Sequence, residues 1–69
     1  MTNLNPGSIL PNGATVLHYR QRDDKRVVLA TWRQGELVTW QVDADGNAYW
    51  GHYFRPGADD MAMQDFENR

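Results

Sequence analysis

V-T-W-Q-V-D-A-D-G-N-A-Y-W-G-H-Y-F, residues 38–54, reads as two aromatic-rich strands joined by an Asp-Gly turn. Val38, Trp40 and Val42 alternate with Thr39 and Gln41, the period of a strand with one buried face. Asp43-Ala44-Asp45-Gly46-Asn47 is turn chemistry, with Gly46 free to take a positive φ and Asp45 suited to the position before it. A loop of this length fits a type I turn closing on a glycine bulge. Beyond the turn, Ala48, Trp50, His52 and Phe54 form one face of the next strand, and Tyr49, Gly51 and Tyr53 the other. Gly51 leaves a gap that a cross-strand aromatic or a bulge can use. Trp40 and Trp50 are expected in the core, since both lie on alternating strands flanking one turn.

Working outward, the same logic finds two more strands. Ala14 to Arg20 reads as the first. Lys25 to Arg33 reads as the second, with Val27, Val28, Leu29, Thr31 and Trp32 all favouring extended backbone. Gln21 to Asp24 turns the chain between them, and Gln34-Gly35 makes a tight turn into the third strand, Glu36 to about Val42. The fourth runs from about Asn47 to Phe54. Arg55-Pro56-Gly57 ends the sheet, because Pro56 cannot donate to a ladder. Asp59 or Asp60 is then placed to cap a short helix, with Ala62, Met63 and Phe66 on one face at helical spacing. Ten residues are too few for a helix to stand unpacked, so Phe66 is expected to dock on the sheet.

The predicted fold class is therefore mainly β (α+β). It is a four-stranded antiparallel meander, lying open beneath the helix or, as favoured here, curled or closed into an SH3-like barrel, followed by a short C-terminal helix. Residues 1–13, with Pro6, Gly7, Pro11, Asn12 and Gly13, form a loop or loose arm anchored by Ile9 and Leu10. Residues 14–69 form a single ββββα domain. Strand two offers Val27 and Leu29 on one face and Val28, Ala30 and Trp32 on the other. A sheet with one wet face alternates more cleanly, so the helix, the arm or a second copy of the chain must cover the second face.

Sixty-nine residues make one domain with a limited core. The chain has no cysteine, which excludes a disulfide staple and a thiolate metal site. The opening residues lack a basic segment followed by an apolar run, and no apolar run approaches the ~20 residues of a membrane span. The expected setting is cytoplasmic. Net charge is −2, unevenly spread. Residues 20–33 balance to +3, whereas residues 34–69 balance to −5. One hairpin is basic and the other end acidic.

Catalytic patterns are weak. His18 and His52 can be paired on paper with Asp43 or Asp45 as a metal or acid–base site, but convergent partners are needed. Asp43–Asn47 resembles part of a calcium loop, yet its glycine comes too early and the twelfth position is Phe54 rather than Glu. Ser8 is the only serine, and no phosphate loop or nucleophile elbow is present. Asp23-Asp24 and Asp59-Asp60 are better explained by a turn and a helix start. The chain reads as a non-enzyme without cofactor or metal. Two binding readings remain. Trp32, Tyr49 and Tyr53 can form an aromatic face for a protein partner or a homodimer. Alternatively, Arg20, Arg22, Lys25 and Arg26 on the first hairpin can hold nucleic-acid phosphates while aromatics stack bases, although the chain is acidic overall.

The stretch T-W-Q-V-D-A-D-G-N-A-Y-W-G-H-Y-F, following A-T-V-L-H and preceding D-F-E-N-R, resembles small uncharacterised proteins encoded by actinobacteriophages. The likeness spans residues 14–69 and is most specific at Trp40, Asp45-Gly46-Asn47 and Tyr49–Phe54. It implies no activity and no site residues. It implies a setting, a bacteriophage protein made in the host bacterial cytoplasm, and a class that often acts by binding a host or phage protein.

Overall fold

The computed structural model describes residues 4–69; residues 1–3 of the expected arm lie outside them. Four strands follow in chain order: β1 (Thr15–Arg22), β2 (Lys25–Trp32), β3 (Glu36–Val42) and β4 (Ala48–Phe54). A ten-residue helix, α1 (Asp59–Asn68), follows the sheet. The strands pair antiparallel in the order β1-β2-β3-β4, the meander that short connections favour. The sheet is open: β1 and β4 are its two edges and do not pair with each other. Of the forms the sequence allows, the SH3-like barrel is not the one adopted: the sheet stays open and is covered on both faces.

Each face has its own core. On one, Val28 and Ala30 of β2, Val16 of β1 and Val38, Trp40 and Val42 of β3 pack under Leu4, Leu10 and Ala14 of the N-terminal segment. On the other, Val27, Leu29 and Leu37 pack under Ala62 and Phe66 of α1, with Phe54 and Met63 at the margin. Period two sends neighbouring residues of one strand to opposite covers, which accounts for strands that are apolar on both sides.

The N-terminal segment is knitted in rather than loose. The amides of Leu10 and Val16 donate to the carbonyls of Ala14 and Ser8, and that of Gly7 to Val16. The edge of β1 is closed there. Leu10 is buried as expected, but Ile9 is exposed and Leu4 takes the second anchor. Ile9 forms a bridge with Thr15, and successive residues of an extended segment face opposite ways, so only one of Ile9 and Leu10 can point inward.

The turns follow their local chemistry. Gly46 has a φ of 87°, and the Asp43 carboxylate accepts the amides of Asp45 and Asn47, both at 2.9 Å. Those bonds, led by the one from the Asn47 backbone, hold the Asp43 carboxyl below its ordinary value. The β2–β3 connection is a single 3-10 turn, Arg33–Gly35, with Gln34 in the left-handed region. The helix start differs from expectation. Ala58 is the N-cap and no side chain caps it. A turn from Arg55 to Ala58 delivers the chain into the helix one residue early, so Asp59 and Asp60 already lie in its first turn, where they complement the dipole instead.

Candidate functional site

The β3–β4 ladder is irregular at its centre. Thr39 pairs with His52 and Gln41 with Tyr49, leaving Trp50 and Gly51 together opposite Trp40. This is a β-bulge, two residues against one. Trp50 occupies the left-handed region at φ 54°, a rare conformation for a bulky residue. Trp40 is 3% exposed, as expected of a core residue, but Trp50 is 70% exposed. The expectation of a buried Trp50 is therefore corrected. The extra residue resets the alternation, so that Ala48 faces the N-terminal segment while His52 and Phe54 face the helix. The gap left by Gly51 serves both anticipated purposes at once, since the bulge forms there and the Trp40 indole lies directly against it.

A polar cluster sits beside the bulge on the helix side. Thr39, fully buried, donates its hydroxyl proton to Asp65 Oδ2. His52 Nδ1 lies 2.9 Å from the same carboxylate oxygen and 3.0 Å from the other, and donates to it, since an ionised carboxylate only accepts. Arg69 Nη1 donates to the Thr39 carbonyl at 2.8 Å and to the Thr39 hydroxyl oxygen at 3.2 Å. Its Nη2 donates to the Trp50 carbonyl at 2.6 Å. Partial burial pushes the Asp65 carboxyl up. The bonds from Thr39 and His52, with the charges of His52 and Arg69, outweigh it and hold the group below its ordinary value.

The cluster is a brace that ties β3, β4 and the end of α1 together. Thr39 is inaccessible, and its hydroxyl is held between the Asp65 carboxylate and the Arg69 guanidinium. The pairings of histidine with Asp43 or Asp45 that can be drawn on paper do not form. Asp43 serves its own turn, His18 lies against Phe66 with ring centroids 6.0 Å apart, and His52 pairs with Asp65. Among the described residues no group of three or more metal-capable side chains gathers. A shallow depression of about 240 Å³ lies alongside, lined by Phe54, Met61, Gln64, Asp65 and Asn68.

The aromatic candidates divide. Trp32 and Tyr53 join Trp40 in one cluster, with centroids 5.2 to 6.2 Å apart, on the face of the N-terminal segment. Trp32 also donates to the Asn12 carbonyl and carries the Arg33 guanidinium 4.3 Å above its ring. Tyr53 is 56% exposed. Tyr49, whose partner Gln41 faces the helix side, packs edge-on against Trp50 at 5.0 Å. The exposed aromatic surface therefore runs along β4 and includes Trp50, which alternation alone had assigned to the core.

The basic candidates divide as well. Arg20 and Arg22 donate to the Glu67 carbonyl at 3.0 and 3.3 Å, supplying the C-terminal end of α1 with the cations its last turn lacks. Lys25 pairs with Arg22 on that face, whereas Arg26 pairs with Gln21 on the opposite one. The four do not form one continuous phosphate track. No described helix is long and apolar enough to cross a membrane. The chain matches no family model, no curated protein and no solved structure.

Proposed function

We propose that this chain is a non-enzymatic interaction module that binds a protein partner through the aromatic edge strand β4. The observation that carries the reading is Trp50. A left-handed backbone costs about 1–3 kcal/mol for such a residue, and exposing a large aromatic forgoes its burial energy. The bulge serves both cores by letting Trp40 pack over Gly51 and by sending Ala48 and Phe54 to their faces, but neither core draws a benefit from the exposure of the Trp50 ring, so that benefit is assigned to a contact outside the chain. Tryptophan and tyrosine are the residues that dominate protein interfaces. Trp50 and Tyr53 lie on the edge strand, and Tyr49 packs against Trp50. The resemblance to actinobacteriophage proteins supplies the proposed setting, a host bacterial cytoplasm, and a host or phage protein as partner. A second copy of the chain is a further partner that the same edge suits.

The test is affinity capture from bacterial lysate, with and without nuclease, using wild type and Trp50→Ala. The expected result is a protein retained by wild type, insensitive to nuclease and lost with Trp50→Ala. Retention that nuclease abolishes would favour the basic first hairpin and nucleic acid instead. Sedimentation equilibrium at tens of micromolar decides self-association: a mass near twice the 8.0 kDa chain that falls with Tyr53→Asp identifies a dimer built on this edge.

A further inference from the structure

The bulge that displays Trp50 opens a break in the ladder, and a bulge leaves backbone groups without their ladder partners. The Arg69 guanidinium fills that break. Its two terminal nitrogens reach across both strands at the irregularity, one to the Thr39 carbonyl of β3 and the other to the Trp50 carbonyl of β4. A planar fork with donors on separate nitrogens is suited to bridging two fixed acceptors, which a single ammonium does less well. Arg69 is itself held. Its amide is tied to the carbonyls of Asp65 and Phe66 at the end of α1. The Thr39 hydroxyl accepts from Arg69 while donating to Asp65. Asp65 in turn fixes His52, two residues from Trp50.

We infer that Arg69, oriented by Thr39 and Asp65, is the positioning residue of the Trp50 site: the end of the helix sets the bulge and hence the display of the exposed tryptophan. In calling that display functional the inference rests on the reading of β4 as a binding edge; the coupling of helix end to bulge stands apart from it. Arg69 joins two strands 30 and 19 residues away in sequence. Its loss acts on the bulge locally rather than on the two apolar cores, neither of which contains it.

The experiment is amide hydrogen exchange by NMR on the full chain without any partner, comparing wild type with Arg69→Ala and Arg69→Lys. Alternate amides of an edge strand point to solvent. With Arg69→Ala, exchange at whichever of the His52 and Tyr53 amides faces β3 should rise by about tenfold, the order of factor that one lost charge-assisted hydrogen bond gives. Exchange at Val28 and Ala30 of β2 should stay within about twofold, because local opening is independent of the global core. If Arg69→Ala does not fold, Arg69→Lys, which keeps the charge and loses the fork, should show the same local pattern at smaller amplitude. Unchanged exchange at His52 and Tyr53, or a uniform rise throughout the sheet, would overturn the inference. A failed capture experiment removes the proposed function without touching this result, and unchanged exchange removes the positioning role without touching that function.

Discussion

A methyl group at position 51 tests the packing at the centre of the molecule. A Cβ built on Gly51 would sit 2.5 Å from Trp40 Nε1, 2.7 Å from its Cδ1 and 3.1 Å from Tyr53 Cε1. Favourable contact between such atoms begins at about 3.5 Å, so the indole would have to withdraw by about 1 Å. It has little room to do so: Trp40 is buried, with Trp32 edge-on at 5.2 Å and Tyr53 edge-on at 6.1 Å. Gly→Ala at an unhindered site stabilises by about 0.4–1 kcal/mol through the unfolded chain. Overpacking a filled core costs about 1–3 kcal/mol, and here the second effect wins. At about 4–8 °C per kcal/mol for a domain of this size, Gly51→Ala should lower Tm by about 5–20 °C. Thermal unfolding followed by far- and near-ultraviolet circular dichroism measures it. In a Trp40→Phe background, which removes the indole nitrogen, the same substitution should cost less, giving a coupling within the roughly 0.5–3 kcal/mol seen for residues in contact. A Gly51→Ala protein that melts at or above the wild-type temperature would refute the close approach of Trp40 to the bulge.

Trp50→Ala should leave stability within about 0.5 kcal/mol of wild type, as for other surface substitutions; a collapse of the thermal transition would return Trp50 to the core. Phe66→Ala, which empties the centre of the helix-side core, should cost about 3–5 kcal/mol and reduce the helical signal at 222 nm. Because Asp65 is held below its ordinary value in the fold, its stabilisation is present above the unfolded value of about 4 and is lost as pH falls through the folded value. The Tm of Asp65→Asn should therefore fall less steeply than that of wild type on acidification below about pH 5, with Asp43 sustaining the remaining slope in both. Arg22→Glu with Arg26→Glu should leave gel shifts with single-stranded and duplex DNA and RNA unchanged at low salt; a wild-type shift that weakens with salt and vanishes in the variant would establish phosphate binding at the first hairpin.

Much of the architecture is written locally. Alternation over Val38–Val42, the turn residues Asp43–Asn47 and the stop at Pro56-Gly57 act within a few residues of themselves, so β3, its turn, the extent of β4 and the presence of a helix after it are legible without any tertiary partner. The apolar residues on both faces of β2 also announce that two covers are needed. Which cover goes where is a long-range matter. The N-terminal segment and the helix cover opposite faces, and having both in place leaves the sheet open, where the sequence allowed an open, a curled or a barrel form. The site depends still more on distant contacts. Alternation assigns Trp50 inward, because period two holds only while the register is unbroken. The bulge that turns it outward depends on Trp40 claiming the space over Gly51 and on Arg69 bridging the carbonyls of Thr39 and Trp50. Asp65, read in the sequence as one acidic residue among many, becomes the centre of the brace because folding brings it to Thr39, 26 residues away, and to His52, 13 away. Such pairings leave no periodic trace, since a hydrogen bond between two side chains constrains where they meet in space and not how they are spaced along the chain.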